Sequence, residues 1–131
     1  MAHAPLRACP TCRAPLGEAE LGLRDYRWVA KYLPGKVAPT DIDGVLERNG
    51  RFLVMEYKAP GVSLPMGQRI LLRRLVALGM DVLVCWGESS DDDAPVEVGS
   101  MNQHGDVPDV RQMTAGELGQ AAAAWFEAAG G

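Results

Sequence analysis

Four charged side chains are spaced so that one short hairpin gathers them: Asp41 and Asp43 precede an Asn49-Gly50 pair, and Glu56 and Lys58 follow it. Asn-Gly between two strand-like runs signals a two-residue type I′ turn, whose central residues both need φ > 0. With Arg48 and Arg51 flanking that turn, Asp43 falls opposite Glu56 and Asp41 opposite Lys58. Side chains alternate with period two, so all four project from one face of the ribbon. Carboxylates that face each other across a strand pair repel, and a cation between them removes the repulsion. Hard divalent ions such as Mg²⁺ or Mn²⁺ suit such a site, because they take oxygen ligands and keep several waters. Asp43 and Glu56 are the expected ligands, with the backbone carbonyl of Tyr57 as a third. Asp41 has three readings: an outer ligand, a carboxylate behind the ligands, or an ion-pair partner of Lys58. A Lys58 ammonium beside the metal would favour hydroxide and stabilise charge developing on a phosphodiester. The Tyr57 side chain is expected on the other face, in the core.

Gln68 adds to this group. At 100° per residue it lies within the arc formed by Leu64, Leu71, Leu72, Leu75 and Leu78, so it faces the sheet rather than solvent. A buried Gln needs hydrogen-bond partners, and one near the start of a helix after the Lys58 strand can reach back to the carboxylates. Arg69 and Arg73 stand four apart on the outer flank, placed for phosphates or for a plain solvated face.

The elements that must position these residues follow from local signals. Residues 1–17 form an irregular cap holding Cys9 and Cys12, and residues 18–131 form the main domain. A helix is expected from Gly17 to about Leu33, with Leu21, Trp28, Val29 and Tyr32 on its buried face and Pro34-Gly35 ending it. Two strands follow, at about Asp41–Glu47 and Arg51–Lys58. A second helix runs from about Pro65 to Leu78, opened by proline and stopped by Gly79. Asp81–Trp86 reads as a strand buried on both faces. Strand, helix and strand in that order make a βαβ unit, so this strand should run parallel to Arg51–Lys58. Val96–Val98 is an expected edge strand. Thr114-Ala-Gly-Glu117 is a capping box for a closing helix to about Ala128. The fold class is therefore α/β, a small mixed sheet of antiparallel hairpin plus parallel strand, flanked by helices on both faces.

Composition narrows the function. The chain has 131 residues and a net charge of −4, enough for one core. No apolar run approaches the ~20 residues of a membrane span, and no h-region marks a signal peptide, so a cytoplasmic protein is expected. The charge is unevenly spread. Residues 24–74 hold ten Lys/Arg, Lys36 among them, against five Asp/Glu, whereas residues 75–131 hold one against ten. The positive half contains the acidic hairpin, as a polyanionic substrate requires. Lys36, Arg69 and Arg73 are the candidate nucleic-acid contacts. The acidic loop at Asp91–Asp93 stands on the other half.

Taken together, Thr-Asp41-Ile-Asp43-Gly-Val-Leu-Glu, a spacer of twelve residues from Asp43, Glu56-Tyr-Lys58 and the downstream Gln68 resemble the PD-(D/E)XK nuclease superfamily. Phage-encoded and recombination-type members are the nearest in pattern. The resemblance spans about residues 18–86. It implies a restriction-endonuclease-like core and a Mg²⁺- or Mn²⁺-dependent endonuclease acting on DNA, in the cytoplasm of a phage-infected bacterial host. By this resemblance Asp43 matches the metal-binding Asp, Glu56 and Lys58 match the ExK pair, and Gln68 matches a Gln that follows that motif in several branches. Leu72 stands where some branches have Tyr. Glu18 and Glu20 are both candidates for a further Glu of the first helix. The rival expectation is a catalytically silent member of the fold that binds DNA or a protein. A homodimer would serve a small nuclease that cuts both strands.

Cys9-Pro-Thr-Cys12 resembles one knuckle of a zinc ribbon. Structural zinc normally takes four ligands, which leaves His3, His104 or a second subunit to complete a site, with plain reduced thiols as the alternative. Cys85 is expected to be a buried small hydrophobe.

Overall fold

The computed structural model describes residues 26–131. The chain divides at Pro39/Thr40, and the two parts are taken separately. The expected boundary at residues 17 and 18, the Cys9/Cys12 cap, and Leu21, Glu18 and Glu20 lie outside the described residues. Of the first expected helix, Arg27–Tyr32 is a 3₁₀ helix. Trp28 and Tyr32 are exposed, not buried as the periodicity predicts. Their rings meet edge to face at 6.3 Å. Lys36 is exposed in the turn that follows, where Gly35 takes φ 62°.

The second part is a five-stranded sheet with strands in sequence order. They are β1 (Gly44–Arg48), β2 (Arg51–Lys58), β3 (Asp81–Gly87), β4 (Pro95–Ser100) and β5 (Arg111–Thr114). Helix α1 (Met66–Ala77) joins β2 to β3, and α2 (Ala115–Gly130) closes the chain. The β2/β3 pair is parallel and the other three pairs are antiparallel. The architecture is therefore α/β with a mixed sheet.

Alternation along β3 divides the core into two. Val82 and Val84 join Val54, Leu64, Leu72 and Met101 on the α1 face, whereas Cys85 joins Val96 and Val98 on the other, where Leu118 of α2 packs. Helices thus cover both faces. The Asn49-Gly50 turn has both residues at positive φ, 54° and 77°, as type I′ geometry demands. Its tip is held by the end of α2. Asn49 donates to the Ala129 carbonyl at 3.1 Å, and the Arg48 guanidinium donates to the Phe126 carbonyl at 3.0 Å while lying 4.5 Å from the Phe126 ring centroid. The Ala129 carbonyl is one that the helix leaves unpaired in its last turn.

Three expectations need correction. The first strand begins at Gly44 rather than Asp41, because a side chain replaces the next backbone rung, as described below. The 96–98 strand is not an edge: β5, which the sequence reading missed, pairs outside it. Arg111–Thr114 alternates poorly and is partly exposed throughout, so it carries little periodic signal. Leu78, expected on the buried arc of α1, is 76% exposed, because it is the C-cap residue and the helix has ended there.

Candidate active site

The hairpin register is the one the turn predicts, running from Arg48↔Arg51 to Gly44↔Met55. Pairs alternate between hydrogen-bonded and non-bonded along an antiparallel ladder, so the rung after Gly44↔Met55 would give the Tyr57 N–H to the carbonyl of Ile42. Instead, Asp43 Oδ2 accepts that N–H at 2.8 Å. The Asp43 side chain thus ends the strand and is pinned beside Glu56, with its second oxygen left over.

Glu56 is the only buried charged side chain among the described residues, at 3% exposure. It projects from β2 onto the α1 face, level with Val84 of β3. Two residues on, Lys58 places its Nζ 3.5 Å from Glu56 Oε1. Burial raises the Glu56 pKa above its ordinary value, and the neighbouring Asp43 carboxylate raises it further; the Gln68 amide and the Lys58 ammonium oppose both effects. Burial and the second carboxylate thus disfavour the charged form of Glu56, and a cation beside it favours that form.

Two oxygens in this group are buried without a hydrogen-bond partner: Glu56 Oε2 and Gln68 Oε1. The Gln68 amide favours the charged form of Glu56, and its own carbonyl oxygen has no partner. Orphaned acceptors cost about 1–3 kcal/mol each. Two of them beside a pair of carboxylates gather oxygen donors of the kind a hard cation takes. The residues therefore fit a hard divalent ion, with oxygen donors from Asp43, Glu56, Gln68 and the Tyr57 carbonyl. Among the described residues no cluster of three or more His, Cys, Asp or Glu forms. Waters and substrate oxygens would have to supply the remaining ligands, as is usual for Mg²⁺.

The other predicted residues are placed as follows. Asp41 is exposed ahead of β1. Among the described residues the ion-pair partner of Lys58 is Glu56, not Asp41. The Tyr57 side chain does face away from the site, but it is 37% exposed rather than core, and its hydroxyl donates to the Ser89 carbonyl at 3.2 Å. Arg69 lies 3.7 Å from Asp106, and Arg73 packs with it beside Gly105. Both therefore buttress the turn at residues 102–106, which Asn102 organises by accepting from the amides of His104 and Asp106. Cys85 is buried at 1% exposure, and desolvation pushes its thiol up to about 11, which suits a core residue. Cys9, Cys12 and His3 lie outside the described residues, and His104 is exposed.

One neighbour had no mark in the sequence. Trp86 stands beside Lys58 in the β2/β3 register, on the same face, and its Nε1 donates to the Val62 carbonyl at 2.7 Å. Only the pairing of β2 with β3 brings it there, and motif spacing carries no trace of it.

Comparison with known proteins found no matching family model, no matching curated protein and no matching solved structure.

Proposed function

We propose that this protein is a divalent-metal-dependent phosphodiesterase that cuts DNA as an endonuclease. The observation that carries the reading is the pair of orphaned oxygens, Glu56 Oε2 and Gln68 Oε1, set beside Asp43 and Lys58. In this reading Asp43, Glu56, the Tyr57 carbonyl and Gln68 would hold Mg²⁺ or Mn²⁺. When bound, the ion supplies Lewis acidity and a lowered pKa for attacking water. The chain's own residues do the rest. Asp43, anchored by the Tyr57 amide, fixes the position of one carboxylate oxygen. Glu56 would contribute the second carboxylate. Lys58, with 20% of its side chain exposed, presents an ammonium between the buried carboxylate and solvent, where a phosphodiester would arrive. There it orients the nucleophile and offsets charge on the phosphoryl oxygens. Gln68 holds Glu56 from the helix side.

The excess of Lys/Arg in residues 24–74 supports a polyanionic substrate, though Arg48 and Arg69 are engaged within the fold. Arg73 packs beside Gly105 as well, and Lys36 remains the basic group proposed to reach DNA. The similarity to PD-(D/E)XK nucleases supports the same assignment of Asp43, Glu56, Lys58 and Gln68. Zinc at Cys9/Cys12 and a homodimer are further parts of the proposal for which the described residues offer no contact.

The test is a panel of labelled single-stranded, duplex, flap and junction DNAs with Mg²⁺, Mn²⁺ or EDTA. Cutting that needs the metal and drops about 10²–10³-fold in Lys58→Ala is the expected result. Metal-independent cutting, or full activity in Lys58→Ala, would overturn the mechanism. Well-folded protein that cuts nothing would favour a silent DNA-binding module.

A further inference from the structure

The face that carries Glu56 and Lys58 continues across the sheet as one row. Lys58 stands level with Trp86, Trp86 with Glu97, and Glu97 with Gln112. Register partners point the same way, so these four side chains share the α1 face, one strand spacing of about 4.8 Å apart. Trp86 is half-buried, with part of its indole packed against the core cluster. Its bond to the Val62 carbonyl fixes the plane of the ring. The rest of the ring walls a cavity of about 360 Å³ whose other sides are Gly61, Val62, Ser63, Glu97 and Val110. A second cavity of about 230 Å³ also touches Trp86 and Glu97 and extends to Gln112. The walls are therefore an aromatic surface held rigid, an exposed carboxylate and a backbone turn.

Building on the phosphodiesterase reading, we infer that this cavity is a nucleobase subsite: Trp86 stacks a base of the strand being cut, and Glu97 accepts from its exocyclic amino group. The chemistry selects among ligands. An exposed Glu97 repels phosphate, so the sugar-phosphate backbone belongs at Lys58 and the base belongs one strand further over. An aromatic surface stacks any base, whereas a carboxylate placed for an exocyclic amino group accepts from cytosine, adenine or guanine; thymine has no amino group and offers only its ring N3–H. A base inside a duplex has no free face to lay on Trp86 without leaving its stack. The substrate class is accordingly a strand with an unpaired, amino-bearing base next to the scissile phosphate.

The experiment is equilibrium binding of the full chain to fluorescein-labelled single-stranded 12-mers in EDTA, so that cleavage plays no part. Oligonucleotides with a central cytosine, thymine or abasic position are compared for wild type, Trp86→Ala, Trp86→Phe and Glu97→Ala. Wild type should bind the cytosine strand about tenfold tighter than the abasic strand. Trp86→Ala should erase that ratio, and Trp86→Phe should keep most of it. Glu97→Ala should equalise cytosine and thymine. Glu97 is exposed, so its variant and the thymine strand carry the test if Trp86→Ala fails to fold. Equal binding of cytosine and abasic strands by wild type overturns the subsite, as does a ratio unchanged by Trp86→Ala or a cytosine preference that survives Glu97→Ala. Metal-dependent cutting lost in Lys58→Ala would in that event leave the phosphodiesterase reading standing. Base-dependent binding without any cutting would instead remove the enzyme and keep the subsite.

Discussion

Glu56 makes the site visible at the scale of single residues, because a 3% exposed carboxyl with an unpartnered oxygen is a cost the fold has no structural reason to carry. Buried unsatisfied polar groups and charges are among the few sources of large single-residue effects. Replacing the carboxylate by the isosteric amide removes the charge and keeps the shape. Glu56→Gln should therefore raise stability in EDTA at neutral pH by about 1–2 kcal/mol, read from urea unfolding, while it abolishes metal binding by calorimetry. A destabilised Glu56→Gln variant would mean that the ion pair with Lys58 outweighs the burial of charge. Asp43→Asn tests the neighbouring position, where the amide oxygen can still accept the Tyr57 N–H at the strand end. This variant should fold and lose divalent-ion binding.

Among the elements, side chains reinforce the hairpin's own ladder at both ends. Arg48 and Asn49 tie the turn to the last carbonyls of α2, and Asp43 closes the open end. Strand β3 is the axis of the sheet, and its last residue, Gly87, is buried where a Cβ would meet the Tyr57 hydroxyl and the Val96 side chain. Gly87→Ala should cost about 1–3 kcal/mol by thermal unfolding, since the Tyr57 hydroxyl is also committed to the Ser89 carbonyl. Loss of less than half a kcal/mol would show that this corner yields freely. At the start of α2, Thr114 Oγ1 accepts from the Glu117 amide at 3.1 Å and Glu117 Oε1 accepts from the Thr114 amide at 3.0 Å. Thr114→Ala should cost about 1 kcal/mol, and the measurement is the same melt.

Over the whole molecule, the raised Glu56 pKa becomes a pH dependence of stability. The folded chain binds this proton more tightly than the unfolded one. The stabilisation is therefore complete below the ordinary value of 4.5 and is lost as pH rises through the folded-state value. In EDTA, urea midpoints of the wild type should fall with pH across that window, and Glu56→Gln should flatten the fall. A divalent ion competes with the proton and binds the folded state, so Mn²⁺ should raise the melting temperature at pH 7.5 more than at pH 4.5. An equal shift at both values would place the ion elsewhere. Among the described residues no helix is long and apolar enough to cross a membrane.

Local signals settled a good deal of this molecule. Asn49-Gly50 set the turn and, through it, the register that puts Asp43 next to Glu56, because period-two alternation propagates from a single fixed pair. Pro65 and Gly79 bounded α1 to within a residue or so, the unbroken apolar run marked β3, and Thr114/Glu117 marked the start of α2. Each is a short-range device, and short-range geometry is what a linear pattern records. Other features belong to tertiary structure alone. Strand β5 forms because β4 offers it an edge, not because Arg111–Thr114 alternates. Arg69 turns to Asp106, and Leu78 falls past the end of its helix. The unsatisfied state of Glu56 Oε2 and Gln68 Oε1 depends on what packs around them. Trp86 and Glu97 come beside Lys58 only through strand pairing between segments distant in sequence, and no spacing within the chain encodes such a row.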